Sequence, residues 1–249
     1  MNHRWRVYAA SAIGKGHIDL GLPCQDAFDY AQNNNHLIAV VCDGAGSANR
    51  SELGAKTCAS AITSFISSHQ DIAALAIPAD YRACIVEAIQ SSRNAIFEAA
   101  ASEACDVSDL SCTVVGAVLH RAGGCIFHIG DGVGSAILED GSSLTSHPEN
   151  GEYANETYFV TQDNWQDHLR LTPFSGLAKL LVLMSDGAMP FAFSKAGLFQ
   201  PFIGPVVSYL KNKTETEGGE SLHATMADER TWKITQDDKS LLIAINVSD

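Results

Sequence analysis

Three times in this chain a long apolar run stops at an Asp-Gly pair. Leu37-Ile-Ala-Val-Val-Cys leads into Asp43-Gly44, Cys125-Ile-Phe-His-Ile-Gly into Asp131-Gly132, and Leu180-Leu-Val-Leu-Met-Ser into Asp186-Gly187. A further carboxylate pair, Asp237-Asp238, directly precedes the last apolar run, Ser240 to Asn246, and Gln25-Asp26 lies just ahead of the first. Short apolar runs bounded by turn residues read as buried strands, which are the rigid part of a fold. Carboxylates at their ends are therefore held in place. Where such groups converge they repel one another and raise one another's pKa unless a cation neutralises them. Asp-Gly is also a favoured turn pair, and Asp140-Gly141 reads as that alone, a type I′ hairpin candidate. Three recurrences after long apolar runs, with Asp237 ahead of a fourth, favour convergence. The chemistry they suit is a hard divalent cation such as Mg²⁺ or Mn²⁺, bound through oxygen. Pattern alone leads to a divalent-metal site and no further.

The remaining segments read as α+β. Trp5 to Ile13 is an apolar, β-rich stretch, and Leu37 to Cys42 is a second. Two helices follow. The first starts near Ser51, a favoured N-cap with Glu52 in the first turn, and runs toward His69 with Ala55, Cys58, Ala59, Ile62, Phe65 and Ile66 on one face. The second starts near Asp80, just after Pro78, and carries Tyr81, Cys84, Ile85, Ala88, Ile89, Ala95, Ile96 and Ala99 at the same spacing. Strands then dominate. They are Cys112 to Leu119 and Cys125 to Ile129 around the hairpin signal Arg121-Ala-Gly-Gly124, then Val133 to Leu138, Tyr158 to Thr161, Leu169 to Leu171 and Lys179 to Met184. The polar segment 146–157 reads as a loop, 188–230 as two or three helices punctuated by Pro201 and Pro205, and 240–246 as the last strand. This order implies antiparallel sheets covered by helices rather than alternating βαβ units.

Composition narrows the function. The 249 residues hold 29 acidic and 16 basic side chains, a formal charge of −13. With 46% hydrophobic and only 18% charged residues, the chain is too apolar for disorder. The acid surplus excludes broad binding to nucleic acid or to an anionic membrane surface, and would favour basic partners. No apolar run is long enough to span a bilayer and the N-terminus lacks a signal-peptide pattern, so a cytoplasmic location is expected. The seven cysteines are odd in number and contain no C-x-x-C pair, which suits buried free thiols in a reducing compartment.

The ordered set Gln25-Asp26, Asp43-Gly44-Ala45-Gly46, Gly130-Asp131-Gly132, Ser185-Asp186-Gly187 and Asp237-Asp238-Lys239-Ser240 resembles the bacterial members of the metal-dependent protein phosphatase 2C family, from Ala9 to Ile245. The resemblance implies one domain over residues 1–249, built as a four-layer α-β-β-α sandwich of two antiparallel sheets flanked by helices. It implies hydrolysis of phosphoserine and phosphothreonine in proteins, opposing a Ser/Thr kinase in signalling, with two or three Mn²⁺ or Mg²⁺ ions. The attack would be in line, with no covalent phosphoenzyme, by a water whose pKa falls between metals roughly 3.5–4 Å apart.

Carried onto this chain, Asp43 would bridge two metals and the Gly44 carbonyl would complete one of them. Asp186 and Asp237 would bind one ion of that pair directly, making Asp43, Asp186 and Asp237 the catalytic carboxylates. Asp26 would act on the other ion through its waters, and Asp131 with Asp186 would hold a third. Gln25 and Asp238 would stand behind the ligands. Two positions depart from the family. Gly21 stands where many members place a phosphate-binding Arg, leaving Lys15 and His17 as candidates for that contact, His17 preferred. Ala45 stands where some members carry a His proposed as general acid, so leaving-group protonation falls to a metal-bound water or another residue. These departures keep open a phosphatase-like module that binds phosphoproteins with little turnover. A hydrolase of small phosphoesters, which would share the site and differ only in substrate, is a further alternative. His120, His128 and Cys42 read as packed strand residues, 149–157 as a segment where the family varies a substrate-facing flap, and 211–220 as a solvated loop or helix end.

Overall fold

Ile38, Val40 and Cys42 turn to one side of their strand and Leu37, Ala39 and Val41 to the other, and all six are shut off from solvent. A strand buried on both faces carries no polar alternation, and it demands a packed layer on each side. The computed structural model describes residues 5–33, 36–69, 78–149 and 157–247.

The chain begins with β1 (Trp5–Ala12), α1 (Lys15–Leu20), β2 (Ala27–Gln32) and β3 (His36–Cys42). Two long helices follow, α2 (Ser51–Ser68) and α3 (Pro78–Glu103), then β4 (Val114–His120), β5 (Gly123–Ile129), β6 (Val133–Leu138) and β7 (Ser143–Ser146). After β8 (Arg170–Ser175) and β9 (Ala178–Met184) come α4 (Met189–Ala192), the small hairpin β10 (Phe193–Ser194) and β11 (Gly197–Leu198), α5 (Gln200–Leu210), α6 (Glu215–Ala227) and β12 (Lys239–Asn246). The large sheets have the orders β1-β12-β9-β6-β7 and β2-β3-β4-β5-β8, antiparallel throughout.

The sheets pack face to face through Val7, Leu37, Val41, Leu119, Leu183 and Leu242. On the outer face of the second sheet, α2 and α3 bury Ile62, Ile66, Ile85, Ile89 and Ile96 against Ile38, Val40 and Phe127. On the outer face of the first, α5 and α6 bury Ile203, Leu210, Leu222 and Met226 against Tyr8, Val182 and Ile243. This is the four-layer α-β-β-α sandwich expected. Ile62 and Ile66 are fully buried, so trimming either to Ala costs about 2–5 kcal/mol.

Several expected segments differ in detail. Residues 158–161 form no strand: the Val160 N–H donates to the Cys112 carbonyl at 2.9 Å, and the buried Arg93 guanidinium donates to the Val160 and Gln162 carbonyls. Asp140-Gly141 closes a type I turn rather than type I′. The Gly141 N–H donates to the Leu138 carbonyl at 3.1 Å and Gly141 alone of the pair has positive φ, 84°. The Asp140 side chain accepts from the Ser142 N–H and hydroxyl, which stabilises that turn. Pro78 is the first residue of α3 rather than a residue ahead of it. The tract 211–220 holds the first turn of α6, capped by Thr214 and Glu217 in a reciprocal box. Much of the expected loop 146–157, residues 150–156, lies outside the described residues. All seven cysteines are free thiols, five of them buried.

Candidate metal centre

Asp43 follows β3, Asp131 lies between β5 and β6, Asp186 follows β9 and Asp237 sits two residues before β12. The first two leave strands of one sheet and the last two belong to strands of the other, so the carboxylates meet where the edges of both layers open at one end. One oxygen from each of Asp43, Asp131 and Asp186 lies within 4.8 Å of the others. Asp237 joins them in lining a cavity of about 400 Å³, with Gly44, Thr113, Thr157 and Phe159. Among the described residues no Lys, Arg or His lines it.

Local chemistry fixes the Asp131 and Asp26 carboxylates and the backbone that carries Asp43 and Asp237. The Asp43 backbone is pinned on both sides by Thr113, whose hydroxyl accepts from the Asp43 N–H at 3.2 Å and whose N–H donates to the Asp43 carbonyl at 2.8 Å. The Thr157 hydroxyl donates to Asp131 Oδ2 at 2.6 Å. Asp26 is buried behind the cavity, where the Ser185 hydroxyl donates to its Oδ2 at 2.7 Å and accepts the Ser240 N–H at 2.9 Å. The fully buried Lys239 ammonium donates to the Asp237 carbonyl at 3.2 Å. Gly187 is required by close approach, since a Cβ there would sit 1.8 Å from the Asp238 carbonyl oxygen.

Asp238 and Gln25 stand behind the cavity rather than in it. Asp238 Oδ1 accepts from the Gly14 N–H at 2.6 Å, and Oδ2 accepts from the Gln25 N–H at 2.5 Å and pairs with His17 Nδ1 at 2.8 Å. One buried carboxylate thus ties the start of α1 and the Gln25-Asp26 segment ahead of β2 to the head of β12. His17 is engaged in that knot, and Lys15 pairs with Asp19 one helical turn away. Neither lines the carboxylate cavity.

The electrostatics record the crowding. Burial pushes Asp26 up to about 8, with the Asp238 and Asp237 charges adding to it. Burial, then Asp26, Asp186 and Asp237, hold Asp43 well above the usual carboxylate range. Asp186 is pushed up to about 6 by burial and by Asp237 and Asp131, and Asp237 is raised by burial and by Asp238 and Asp131. Among the described residues, buried Asp26 Oδ1 and Asp186 Oδ1 have no hydrogen-bond partner. An all-oxygen set with orphaned carboxylate atoms and no basic side chain among its lining fits hard divalent cations.

The acidic residues brought together here are those that strand ends marked in the sequence. Thr113 and Thr157 were not, because isolated hydroxyl residues carry no pattern and their bonds to Asp43 and Asp131 span 70 and 26 residues of chain. Ser185 was legible as part of Ser185-Asp186-Gly187, though not its bonds to Asp26 and Ser240, 159 and 55 residues away. Lys239 was legible as part of Asp237-Asp238-Lys239-Ser240, though not its burial.

Known proteins extend this likeness over the whole chain. A relative in Escherichia coli K12, serine/threonine-protein phosphatase 3, is 29% identical over 97% of this chain and 98% of its own. Solved structures share the fold at lower identity. A bacterial serine phosphatase superposes with TM-score 0.69 at 14% identity, covering 99% of each chain. Serine/threonine phosphatase Stp1 from Staphylococcus aureus gives 0.69 at 14%, over 98% of this chain and 96% of that one. The catalytic domain of the serine/threonine protein phosphatase PstP, solved with two manganese ions, gives 0.61 at 16%, over 98% and 99%. The family profile of protein phosphatase 2C matches residues 13–227, and the chain belongs to the protein phosphatase 2C family.

Proposed function

We propose that this protein hydrolyses phosphoserine and phosphothreonine in proteins, as a single domain over residues 1–249, with two or three bound Mn²⁺ or Mg²⁺ ions. The observation that carries the reading is the cavity in which Asp43, Asp131 and Asp186 bring oxygens within 4.8 Å of one another and no basic side chain lines the wall among the described residues. Asp43, Asp186 and Asp237 would hold the ions directly, with the Gly44 carbonyl, while Asp131 would serve a further ion and Asp26 would reach through water. Bound there, such ions lower the pKa of a coordinated water and neutralise phosphoryl oxygens.

The chain's own residues then position and shield. Thr157 aims Asp131, Ser185 aims Asp26, and Lys239 and Asp238 fix the turn that carries Asp237. Among the described residues no His or Lys lines the carboxylate cavity beside Ser47, Thr113 and Thr157. The Thr113 and Thr157 hydroxyls are engaged by the Asp43 backbone and Asp131, and Cys42 is fully buried, which supports direct attack by water over a covalent intermediate. The substrate would be a phosphoprotein made by an opposing Ser/Thr kinase. A cytoplasmic site of action is supported by the seven free thiols. No helix among the described residues is long and apolar enough to cross a membrane.

The test is turnover of p-nitrophenyl phosphate and of a phosphothreonine peptide with Mn²⁺, with EDTA, and in Asp43→Asn and Asp237→Asn. Residues that merely support metal ligands typically cost 10–100-fold when changed, so each variant is expected to lose more than about 100-fold, and EDTA to abolish turnover. Equal turnover in all arms overturns the proposal. Gly21 and Ala45, standing where family members carry a phosphate-binding Arg and a His, leave a phosphoprotein-binding module as the second reading, which calorimetry would reveal as phosphopeptide binding without Mn²⁺ uptake.

A further inference from the structure

The carboxylate cavity continues into a second, larger one of about 760 Å³ that shares Asp131, Thr157 and Asp186 with it. Here the lining changes character. Met189, Pro190 and Phe193, from α4 and the start of the β10–β11 hairpin, supply apolar surface, and His147 and Lys195 supply nitrogen donors. The His147 ring meets Phe193 edge-on, with centroids 5.8 Å apart at 65°, so the chain after β7 and the hairpin close on each other.

The hairpin is a fixed wall rather than a loose tip. The Ser194 hydroxyl donates to the Gly197 carbonyl at 3.1 Å and accepts the Ala196 N–H at 3.3 Å, and the Phe199 N–H donates to the Ala192 carbonyl at 2.9 Å. Lys195 stands at its turn, exposed, and among the described residues makes no ion pair. The carboxylate cavity holds four aspartates, yet the groove that continues it presents an ammonium. A chain with formal charge −13 thus shows a cation beside apolar surface at the mouth of its most acidic feature.

Resting on the phosphatase reading, we infer that this groove binds the polypeptide flanking the phosphorylated residue, with an apolar side chain on Met189, Pro190 and Phe193 and an acidic side chain at Lys195. The continuity of the two cavities places the flanking chain there, and the charge of Lys195 selects its sign. The net acid surplus favours basic partners at long range, whereas the groove selects acidic-apolar sequence at contact. Lys195 lines the groove and not the carboxylate cavity, which assigns it to the flanking chain rather than to the phosphate.

The experiment compares phosphothreonine peptides that carry Glu, Ser or Lys, and Leu or Gly, on either side of the phosphorylated residue. Both kcat/KM with Mn²⁺ and Kd by fluorescence anisotropy are measured. One exposed ion pair corresponds to about threefold, so the wild type is expected to favour Glu over Ser by about that factor on one side, Lys195→Glu to invert the preference and Lys195→Gln to erase it. Phe193→Ala is expected to lose the preference for Leu over Gly. Each ratio is read within one variant, so a general loss of activity cancels. Ratios unchanged by Lys195→Glu overturn the inference, as does a uniform fall for every peptide and for p-nitrophenyl phosphate, which would assign Lys195 to the phosphate. If the wild type hydrolyses nothing while the Kd ratios behave as stated, the phosphatase reading falls and the groove stands.

Discussion

Thr157 donates its hydroxyl to Asp131 at 2.6 Å from across the chain, and that bond sets which way one of three converging carboxylates points. Thr157→Val keeps the side-chain shape and deletes the donor. Supporting contacts of this kind are worth 10–100-fold in metal affinity, so the variant is expected to need about tenfold more Mn²⁺ for half-maximal turnover, with little change at saturating metal. A metal titration of the p-nitrophenyl phosphatase rate checks this, and an unshifted midpoint would remove Thr157 from the positioning set. Residue identity was legible in the sequence where chemistry coincided with strand ends: Asp43, Asp131, Asp186 and Asp237 all meet in one cavity. It was illegible where a residue's role comes from a distant partner. Ser185 matters because Asp26, from another strand's approach, lies 2.7 Å away, and Lys195 because a turn carries it to a groove. His17 shows the converse, a donor in the right stretch whose ring is taken up by Asp238.

At the level of elements, close approach decides more than propensity. Gly116 on β4 faces Phe127 on β5, and a Cβ at Gly116 would lie 2.2 Å from the Phe127 ring. The ring occupies the space a side chain would claim. Gly116→Ala is therefore expected to destabilise the protein by about 1–3 kcal/mol through overpacking, and Phe127→Leu in the same chain to return part of it. Midpoints of urea unfolding measure both, and a neutral Gly116→Ala would show that the ring can swing aside. Strands buried on both faces, such as β3 and β9, were readable as unbroken apolar runs. β2 and α1 were not. Every residue of β2 but its last is half-buried and α1 buries none, so neither carries a period to detect. The misread stretch 158–161 has strand-like residues, but its Val160 carbonyl accepts from Arg93 and its Phe159 carbonyl from the Gln162 N–H instead of joining a ladder.

For the molecule as a whole, the carboxylate cluster links pH, metal and stability. Asp26 rises to about 8 from an ordinary 3.8, and Asp186 to about 6, so in the metal-free protein the folded state holds protons that the unfolded state has released. Raised acid pKa values make stability fall as pH climbs through the interval between the two values, here from about 4 to about 8 for Asp26. Metal-free protein is expected to show a falling Tm over that range. Mn²⁺ is expected to raise Tm most at its upper end, where no proton competes for the ligands. Differential scanning fluorimetry with EDTA or Mn²⁺ across pH tests the sign, and a metal-free Tm that rises through this window contradicts the crowding described above.

The carboxylates of the centre hang from two different sheets, joined mainly by the apolar layer of Val7, Leu37, Val41, Leu119, Leu183 and Leu242. A centre built that way works as a caliper: a slip of one layer against the other alters the gap between Asp43 and Asp186 without touching either residue. Loosening the interlayer, for instance by Leu183→Ala, is thus expected to weaken Mn²⁺ uptake in calorimetry while the far-ultraviolet dichroism stays native, and the ions in turn would clamp the halves in register.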